Sequence, residues 1–411
     1  MTEPQPATLG EQTADPPAAS PVGEIFRVAL RLGLTSFGGP TAHLGYFREE
    51  YVVRRRWLDE RSYADLVALC QFLPGPASSQ VGIGIGTLRG GLLGGVAAWL
   101  GFTLPSVLLL VAFAYGVERF AVADSGWLHG LEVAAVAVVA QAVWGMARQF
   151  CTDRQRATIA VIAALVALLV PNAVGQLAVI VGAGFVGWRL LATEAAPPMP
   201  PSRARIDRRF ASACLALFFV LLAGLPLLRL VAPGGGVALL DSFYRAGALV
   251  FGGGHVVLPL LQTATVTPGW LTDAQFVAGY GATQAMPGPL FTFAAYLGAV
   301  RGPQPNGILG AALAIGAIFL PSFLLIWGAL PFWEQLRAHP GFGRALRGIN
   351  AAVVGLLLAA LYTPVWASAI LAPRDFALAL AAFGLLTIWK LPPWLVVALA
   401  ALGGAGFAAL G

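Results

Sequence analysis

Two arginines and two Pro-Gly-Pro motifs are the residues of this sequence whose types and spacing could do chemistry. Arg31 and Arg245 each lie in an apolar segment, six residues before a Phe-Gly-Gly. An arginine among apolar residues is expensive unless it is paired or functional. Two guanidiniums supply two charges and the bidentate forks that suit a tetrahedral oxyanion. The pair therefore indicates binding of a dianion, and the structural alternative is that both side chains extend to a polar interface.

The Pro-Gly-Pro motifs interrupt two apolar stretches, FLPGPASSQ at 72–80 and AMPGPLFTF at 285–293. Proline breaks a helix, and a helix that starts after the break presents free N–H groups and the positive end of its dipole, which bind anions. Glycine lets a ligand approach the backbone because it has no side chain. The motifs predict a pocket for an anion rich in acceptor oxygens. The predicted residues are Arg31, Phe37, Gly38, Gly39, Gln71, Pro74, Gly75, Pro76, Ser78, Ser79, Arg245, Phe251, Gly252, Gly253, His255, Gln284, Pro287, Gly288, Pro289 and Thr292.

Some polar residues beside these motifs have two roles open to them. Gln71 and Gln284, each three residues before the first proline of their motif, either donate to the substrate or tie the motif to its neighbours. For His43, as for His255, we expect a local hydrogen bond rather than ligation. Asp65, in the stretch that leads to the first motif, is either a proton-coupling carboxylate or the partner of an arginine in a salt bridge.

Composition indicates which class of protein holds these residues. The chain has 411 residues, of which 58% are hydrophobic and 11% charged, and its mean hydropathy is +0.78. Soluble domains carry about 25% charged residues. Long apolar runs without the alternating pattern of barrel strands predict an integral membrane protein with helical spans. The net charge of +6 comes from arginines in short loops, which is a topological signal and not one of nucleic-acid binding.

Enzymatic and metal-dependent functions have little support in the sequence. Cys70, Cys151 and Cys214 are far apart in apolar surroundings, which favours small core residues over disulfides or metal ligands. The apolar segments contain no nucleophile and base set, phosphate-binding loop or dinucleotide fingerprint. We therefore expect no cofactor, no metal and no catalysis, with a membrane enzyme as the minor alternative.

The chain contains an internal repeat, found by comparing it with itself. RLGLTSFGG at 31–39 matches RAGALVFGG at 245–253, and the two Pro-Gly-Pro segments match over 57–76 and 270–289. The offset between the copies drifts only from 213 to 218. Two further blocks follow in the same order: FTLPS and IFLPS, ending at Ser106 and Ser322, and residues 129–142 with 347–360.

Positive charges indicate that the two copies have opposite orientations. Five arginines lie between residues 48 and 61, whereas the matching stretch 261–274 has no Lys or Arg. Later the bias reverses, because 334–347 holds three arginines and its counterpart 119–129 holds one. By the positive-inside rule, equivalent loops then face opposite sides. This pattern is typical of secondary transporters built from inverted repeats, although channels can have it too.

The arms around each Pro-Gly-Pro are too short to cross a membrane. Each first-copy arm offers about 12 residues, or ~18–20 Å of helix, against the ~30 Å of the hydrocarbon core. We predict re-entrant half-helices there, whereas residues 24–47 either re-enter or span. The predicted crossings are 91–117, 128–148, 157–171, 173–192, 210–231, 307–332, 349–365, 375–389 and 392–410.

The predicted architecture is an all-α polytopic membrane protein of two inverted-topology repeats with re-entrant half-helices, joined by one connecting transmembrane helix. The tail lacks the basic and apolar regions of a signal peptide. The parts are a disordered cytoplasmic tail (1–23), repeat 1 (24–193), a basic cytoplasmic linker (194–209), the connecting helix (210–232) and repeat 2 (233–411).

Longer blocks around the motifs are distinctive: SFGGPTAHLGYFREEYVVRRRWLDE, FLPGPASSQVGIGIGTLRGGLLGG and FTLPS, repeated as FGGGHVVLPLL, MPGPLFTFAAYLG and FLPS. They resemble the chromate ion transporter family in its long, two-domain form, over nearly all of residues 24–365. The resemblance implies a multi-pass protein of the cell inner membrane that exports chromate and confers chromate resistance. It also implies that both Phe-Gly-Gly and both Pro-Gly-Pro motifs line the pocket. Gly254 stands where Pro40 does, so we expect unequal contributions from the two halves.

We therefore expect a secondary transporter, embedded in membrane lipid, that moves chromate by alternating access. Sulfate, a close isostere of chromate, is the competing substrate. A carrier of another oxyanion and a passive anion channel stay as alternatives. The sequence leaves a homodimer open and gives no sign of a nucleic-acid partner.

Overall fold

The structure is a computed structural model that describes residues 21–37, 39–119, 126–170, 173–192, 206–232, 234–250, 257–333 and 340–410. In these ranges the chain forms helices and short connections, with no strand. The prediction of an all-α, multi-pass membrane protein is confirmed. Most of the predicted tail, most of the basic linker and the second Phe-Gly-Gly lie outside the described residues.

The same order of long and short helices occurs on both sides of one connecting helix. The first half contains α1 (Val22–Thr35), α2 (Gly39–Phe47), a π-helical turn (Arg48–Arg54), α3 (Glu60–Phe72), α4 (Ala77–Arg119), α5 (Gly126–Phe150), α6 (Arg154–Leu169) and α7 (Ala173–Leu190). The connecting helix is α8 (Arg208–Val231). The second half contains α9 (Gly235–Ala248), α10 (Val257–Thr265), α11 (Asp273–Ala285), a 3-10 turn (Leu290–Thr292), α12 (Phe293–Val300), α13 (Gly307–Ala329), a 3-10 turn (Leu330–Phe332), α14 (Pro340–Ala360), a π-helical turn (Leu361–Trp366), α15 (Ala367–Ala369), α16 (Pro373–Thr387) and α17 (Pro393–Leu410).

Helices occur at every predicted crossing. In the described part of the chain, five stretches are long and apolar enough to cross a membrane. The remaining crossings correspond to α6, α7, α16 and α17, of which α6 has 16 residues and α16 has 15. At ~1.5 Å per residue these two helices are only ~24 and ~22 Å long. The five long stretches are Ala77–Gly116, Gly126–Phe150, Arg208–Val231, Gly307–Phe332 and Gly343–Ala369.

The arms around the Pro-Gly-Pro motifs are short, as predicted. Helices α3 and α11 have 13 residues each, or ~20 Å. Asp59 caps the start of α3, and Thr272 forms a capping box at the start of α11. The arm that follows the first motif ends at a kink in α4, where Gly90 and Gly91 leave the helical conformation. A single arm of this length cannot cross the hydrocarbon core.

The two halves interlock through their C-terminal helices. Helix α5 of the first half packs along α16 and α17 of the second, and its counterpart α14 packs along α6 and α7 of the first. Small residues allow this close approach. A Cβ atom on Gly130 would lie 2.8 Å from Ala401 Cα, and one on Gly355 would lie 2.8 Å from Ala163 Cβ. Each half therefore completes its packing with helices of the other.

In each Pro-Gly-Pro segment, an arginine guanidinium at the end of the segment lies over a tryptophan ring at its start. The Arg89 guanidinium lies 5.6 Å from the Trp57 ring centre, and that of Arg301 lies 4.0 Å from the Trp270 ring centre. The two tryptophans are equivalent in the repeat, and the two arginines lie within one residue of equivalent positions. Each arginine also follows the last turn of a helical arm, where a cation is favourable because of the helix dipole. These contacts join the entry of each segment to its exit.

Replacing Gly355 by leucine tests the interlocked packing. Gly355→Leu drives a side chain into the backbone of α6, and we expect a loss of stability of about 1–3 kcal/mol or more, as in overpacked cores. The measurement is the melting temperature of the purified protein in detergent. Gly182→Leu is the matched control, because nothing lies within 4 Å of a Cβ atom there. Equal melting of both variants and the parent protein would contradict the packing.

Candidate functional site

The two Pro-Gly-Pro turns, here called the elbows (residues 74–76 and 287–289), bind the opposite half of the protein through their backbones. The N–H of Gly75 donates to the carbonyl of Val250, at 2.6 Å, and the N–H of Gly288 donates to the carbonyl of Ser36, at 2.9 Å. Val250 and Ser36 are equivalent residues that come just before the two Phe-Gly-Gly segments. The elbow of each half therefore meets the end of the short helix that precedes the Phe-Gly-Gly of the other half.

Only glycine fits at the centre of either elbow. Gly75 has φ +123° and Gly288 has φ +98°, a region that residues with a side chain rarely adopt. There is also no room for a side chain, because a Cβ on Gly75 would lie 2.6 Å from Gln80 Nε2 and 3.1 Å from Ser322 Oγ. A Cβ on Gly288 would overlap Ser106 Oγ. The elbows are thus packed against serines of the other half, from α13 and α4.

Buried polar side-chain atoms without a hydrogen-bond partner surround the elbows. An unpaired buried polar group costs about 1–3 kcal/mol, so a group of them indicates a site that a polar ligand completes. Most are hydroxyl or amide groups able to donate to an anion's oxygens. Within the described residues these atoms are Ser36 Oγ, His43 Nε2, Ser79 Oγ, Gln80 Oε1, Thr103 Oγ1, Gln284 Nε2 and Ser322 Oγ.

The start of α4 has the geometry expected of an anion site. Ser78 and Ser79 lie in its first turn, and both are buried. The first-turn N–H groups of a helix have no partner within the helix, and the dipole there is positive. His43 Nδ1 lies 3.4 Å from Ser78 Oγ, on a different helix; the local hydrogen bond predicted for this histidine stays a prediction. In the second half, the Thr292 hydroxyl instead donates to the carbonyl of Pro289, at 2.7 Å.

The structure separates some predicted site residues from this buried cluster. Arg31 lies on the exposed face of α1, and Gln71 is exposed near the end of α3. Phe37 is half-buried and lies 5.9 Å from the ring of Trp394. Gln284, the counterpart of Gln71, directs its amide nitrogen into a buried position. The two glutamines therefore differ in their surroundings.

The other predicted residues fall into two groups. The elbow prolines are buried except Pro74, which is half-buried, as is Gly39 with its φ of +77°. The remaining residues lie outside the described part of the chain, so their predicted roles stay predictions. The prolines are Pro74, Pro76, Pro287 and Pro289, and the residues outside are Gly38, Phe251, Gly252, Gly253 and His255.

Arg245 is paired with a buried aspartate. Asp241 Oδ2 lies 2.6 Å from Arg245 Nη2 and 3.3 Å from Arg229 Nη1, and the Asp241 side chain is 1% exposed. Asp241 Oδ1 and Arg245 Nε have no partner among the described residues. The three groups together carry one net positive charge. Sequence reasoning missed Asp241, although its position one helical turn before Arg245 could have indicated it.

Asp65 has a partner that neither sequence interpretation named. Its Oδ1 accepts a hydrogen bond from the indole nitrogen of Trp333, at 2.8 Å in a buried position. Trp333 follows the 3-10 turn at the end of α13, so this bond joins α3 to the second half. The role of Asp65 in proton coupling stays a prediction.

Acidic, cysteine and histidine side chains do not form a metal site in the described residues, where no three of them come close enough to hold an ion. The three cysteines are free thiols. Chemistry at the elbows therefore rests on hydroxyl, amide and backbone N–H groups, which bind and orient an anion by hydrogen bonds. Sequence reasoning missed Ser36, Gln80, Thr103 and Ser322 beside the elbows, and also Ser106, which supports the second elbow. Ser106 and Ser322 end repeated blocks, which could have indicated them.

Comparisons with known proteins give one consistent result. A family model described as chromate transporter matches residues 23–188 and, a second time, residues 237–405. The same family therefore matches once in each half of the chain. No solved structure gives a significant match.

The curated relatives carry the corresponding names. A chromate transport protein of Pseudomonas aeruginosa is 31% identical over 362 residues, which cover 86% of this chain and 83% of that protein. A chromate transport protein of Cupriavidus metallidurans is 27% identical over 413 residues and 98% of both chains. A probable chromate transport protein of Synechococcus elongatus is 27% identical over 412 residues, covering 93% of this chain and 95% of that protein.

Removing the Asp241 charge tests the arginine pairing. We expect Asp241→Asn to destabilise the protein by roughly 1–3 kcal/mol, less than the ~3–5 kcal/mol of a fully buried pair. The reason is that the side chains of Arg229 and Arg245 are 37% and 32% exposed. Chemical or thermal unfolding in detergent measures the change. Asp273→Asn, on an exposed residue at the start of α11, is the control, and an equal effect in both variants would argue against the pairing.

Proposed function

Because the chain belongs to the chromate transporter family, we propose that it is a secondary transporter that exports chromate from the cytoplasm across the cell inner membrane by alternating access. Chromate is a tetrahedral dianion with four acceptor oxygens. Its removal from the cytoplasm would confer chromate resistance. The protein would act as a carrier without a cofactor and without converting its substrate.

The observation that carries this proposal is the set of unpaired buried donors around the two elbows. Hydroxyls such as those of Ser36, Ser79 and Ser322 can each donate a hydrogen bond to an oxygen of an anion. The N-terminal turn of α4 adds free N–H groups and a positive dipole end. Arg245, five residues before the Val250 carbonyl that binds the first elbow, belongs with Arg229 and Asp241 to a group of net positive charge. These features support anion binding at the place where the halves meet.

Alternating access is supported by the reciprocal contacts between the halves. Each elbow binds the break of the other half, so a movement of one half relative to the other must rearrange both contacts together. Inverted repeats with broken helices at a central site are the usual basis of such rocking. The opposite charge bias of equivalent loops supports the inverted arrangement. We propose the export direction on the family membership alone, and a homodimer stays a prediction.

A sulfate or other oxyanion carrier is the second candidate function. Sulfate has the same shape and charge as chromate, and hydroxyl groups can donate hydrogen bonds to the oxygens of either anion. A passive anion channel is the third candidate, and it would conduct without coupling to any gradient. A reductase would convert chromate rather than move it.

Uptake into proteoliposomes separates these functions. We expect saturable chromate uptake that sulfate inhibits, because sulfate is also a tetrahedral dianion with four acceptor oxygens; molybdate and phosphate in the same assay report the selectivity among oxyanions. Imposing a proton gradient should change the rate of a coupled carrier and leave a passive channel unchanged. Liposomes without protein are the control. Loss of chromate from solution without its appearance inside the vesicles would favour an enzyme, and absence of uptake would refute transport.

The two predicted arginines provide a second test. We expect Arg245→Ala to lower chromate uptake at least about tenfold, the effect of losing a charge-assisted contact worth ~1.4 kcal/mol or more. Arg31→Ala tests whether the exposed arginine of α1 takes part in the transport cycle, and we predict that it too loses transport. Arg27→Ala, on the same helix, is the matched control. Parent-level flux in either variant would remove that arginine from the transport mechanism.

A further inference from the structure

Two equivalent serines make different contacts with the elbows. Ser106 of α4 and Ser322 of α13 end the repeated FTLPS and IFLPS blocks, and both are buried, at 1% and 0% exposure. Each lies beside the central glycine of the elbow from the other half, Ser106 at Gly288 and Ser322 at Gly75. Their positions are therefore the same in the two halves.

Their hydrogen bonds are not the same. The Ser106 hydroxyl donates to the carbonyl of Pro287 in the second elbow. The corresponding carbonyl of the first elbow, Pro74, already accepts the Gln80 amide, at 2.7 Å. In the second half Phe293 stands where Gln80 does, and its ring has no donor for a carbonyl. Gln80 thus bonds the first-elbow carbonyl that corresponds to the one Ser106 bonds in the second elbow.

The consequence is that Ser322 has a free hydroxyl in the interior. Its Oγ has no hydrogen-bond partner in the described parts of the chain. Ser79 Oγ is a second buried, unpaired donor at the start of α4, whereas the unpaired Gln80 Oε1 beside it is an acceptor. A buried hydroxyl without a partner is unfavourable. The equivalent serine, Ser106, has a partner in the Pro287 carbonyl. A ligand that accepts a hydrogen bond would supply the partner that Ser322 lacks.

We infer that Ser322 binds substrate, donating its hydroxyl to one oxygen of a tetrahedral oxyanion held between α13 and the start of α4. This inference rests on the proposed function and assigns the ligand to the first elbow. Ser106, by contrast, is a structural residue that holds the second elbow in shape. The halves therefore contribute unequally, because the first-elbow carbonyl is bonded by Gln80 and the second-elbow carbonyl by Ser106.

The two serines form a matched pair for the test. Ser322→Ala and Ser106→Ala each remove one buried hydroxyl from equivalent positions. For Ser322→Ala we expect KM for chromate uptake in proteoliposomes to rise about tenfold or more, because the lost bond is to a charged ligand, with kcat and melting temperature near those of the parent protein. For Ser106→Ala we expect a lower melting temperature, since the Pro287 carbonyl loses its partner, and KM within about twofold.

A second measurement keeps the test independent of turnover. Chromate or sulfate added to the detergent-purified parent protein should raise its melting temperature by mass action, and this rise should be reduced in Ser322→Ala and retained in Ser106→Ala. An unchanged KM in Ser322→Ala, or a drop in stability equal to that of Ser106→Ala, would overturn the inference and leave the proposed function intact. A parent protein that takes up none of chromate, sulfate, molybdate and phosphate would instead refute the proposed function, and the inference with it.

Discussion

Two backbone hydrogen bonds that run in opposite senses between the halves determine how the interior of this protein is built. Gly75 of the first half donates to Val250 of the second, and Gly288 of the second donates to Ser36 of the first. A broken helix inside a membrane leaves N–H and C=O groups that water cannot reach, at a cost of several kcal/mol each. The breaks are tolerated because the N–H of each elbow glycine donates to a carbonyl beside the helix break of the other half. Neither half can satisfy its own elbow in this way.

Unlike the backbone groups of the elbows, several side chains around them have no hydrogen-bond partner among the described residues. The elbow backbones are paired across the halves, yet hydroxyl and amide groups of Ser36, Ser79, Gln284 and Ser322 are buried without partners in the described residues. The backbone bonds fix each elbow to the opposite half, and under the proposed function the unpaired side chains beside the elbows would bind the anion. A preorganised set of donors of this kind loses little entropy when an anion binds. The proposed transport function depends on this contrast.

Equivalent positions in the two halves hold different residues or make different contacts. Arg245 is paired with Asp241, whereas the residue equivalent to Asp241 in the first half is Arg27, and Arg31 is exposed. Gln80 occupies an elbow carbonyl that its counterpart Phe293 cannot reach by a hydrogen bond. Sequence divergence between the copies is therefore accompanied by an unpaired Ser322 at the first elbow and a bonded Ser106 at the second. The common fold is kept by the residues that did not diverge, such as the elbow glycines.

The sequence by itself determined the fold class, because apolar length and low charge allow only a bundle of membrane helices. It also determined where helices break, since proline and glycine act locally on the backbone, and the helices at 60–72 and 273–285 end just before the predicted elbows. Which groups meet was decided only by the tertiary structure. The pairing of Gly75 with Val250, of Arg245 with Asp241 and of Asp65 with Trp333 joins residues whose partners depend on how helices pack. Local pattern encodes a break in a helix, but the partner of a buried polar group depends on distant parts of the chain.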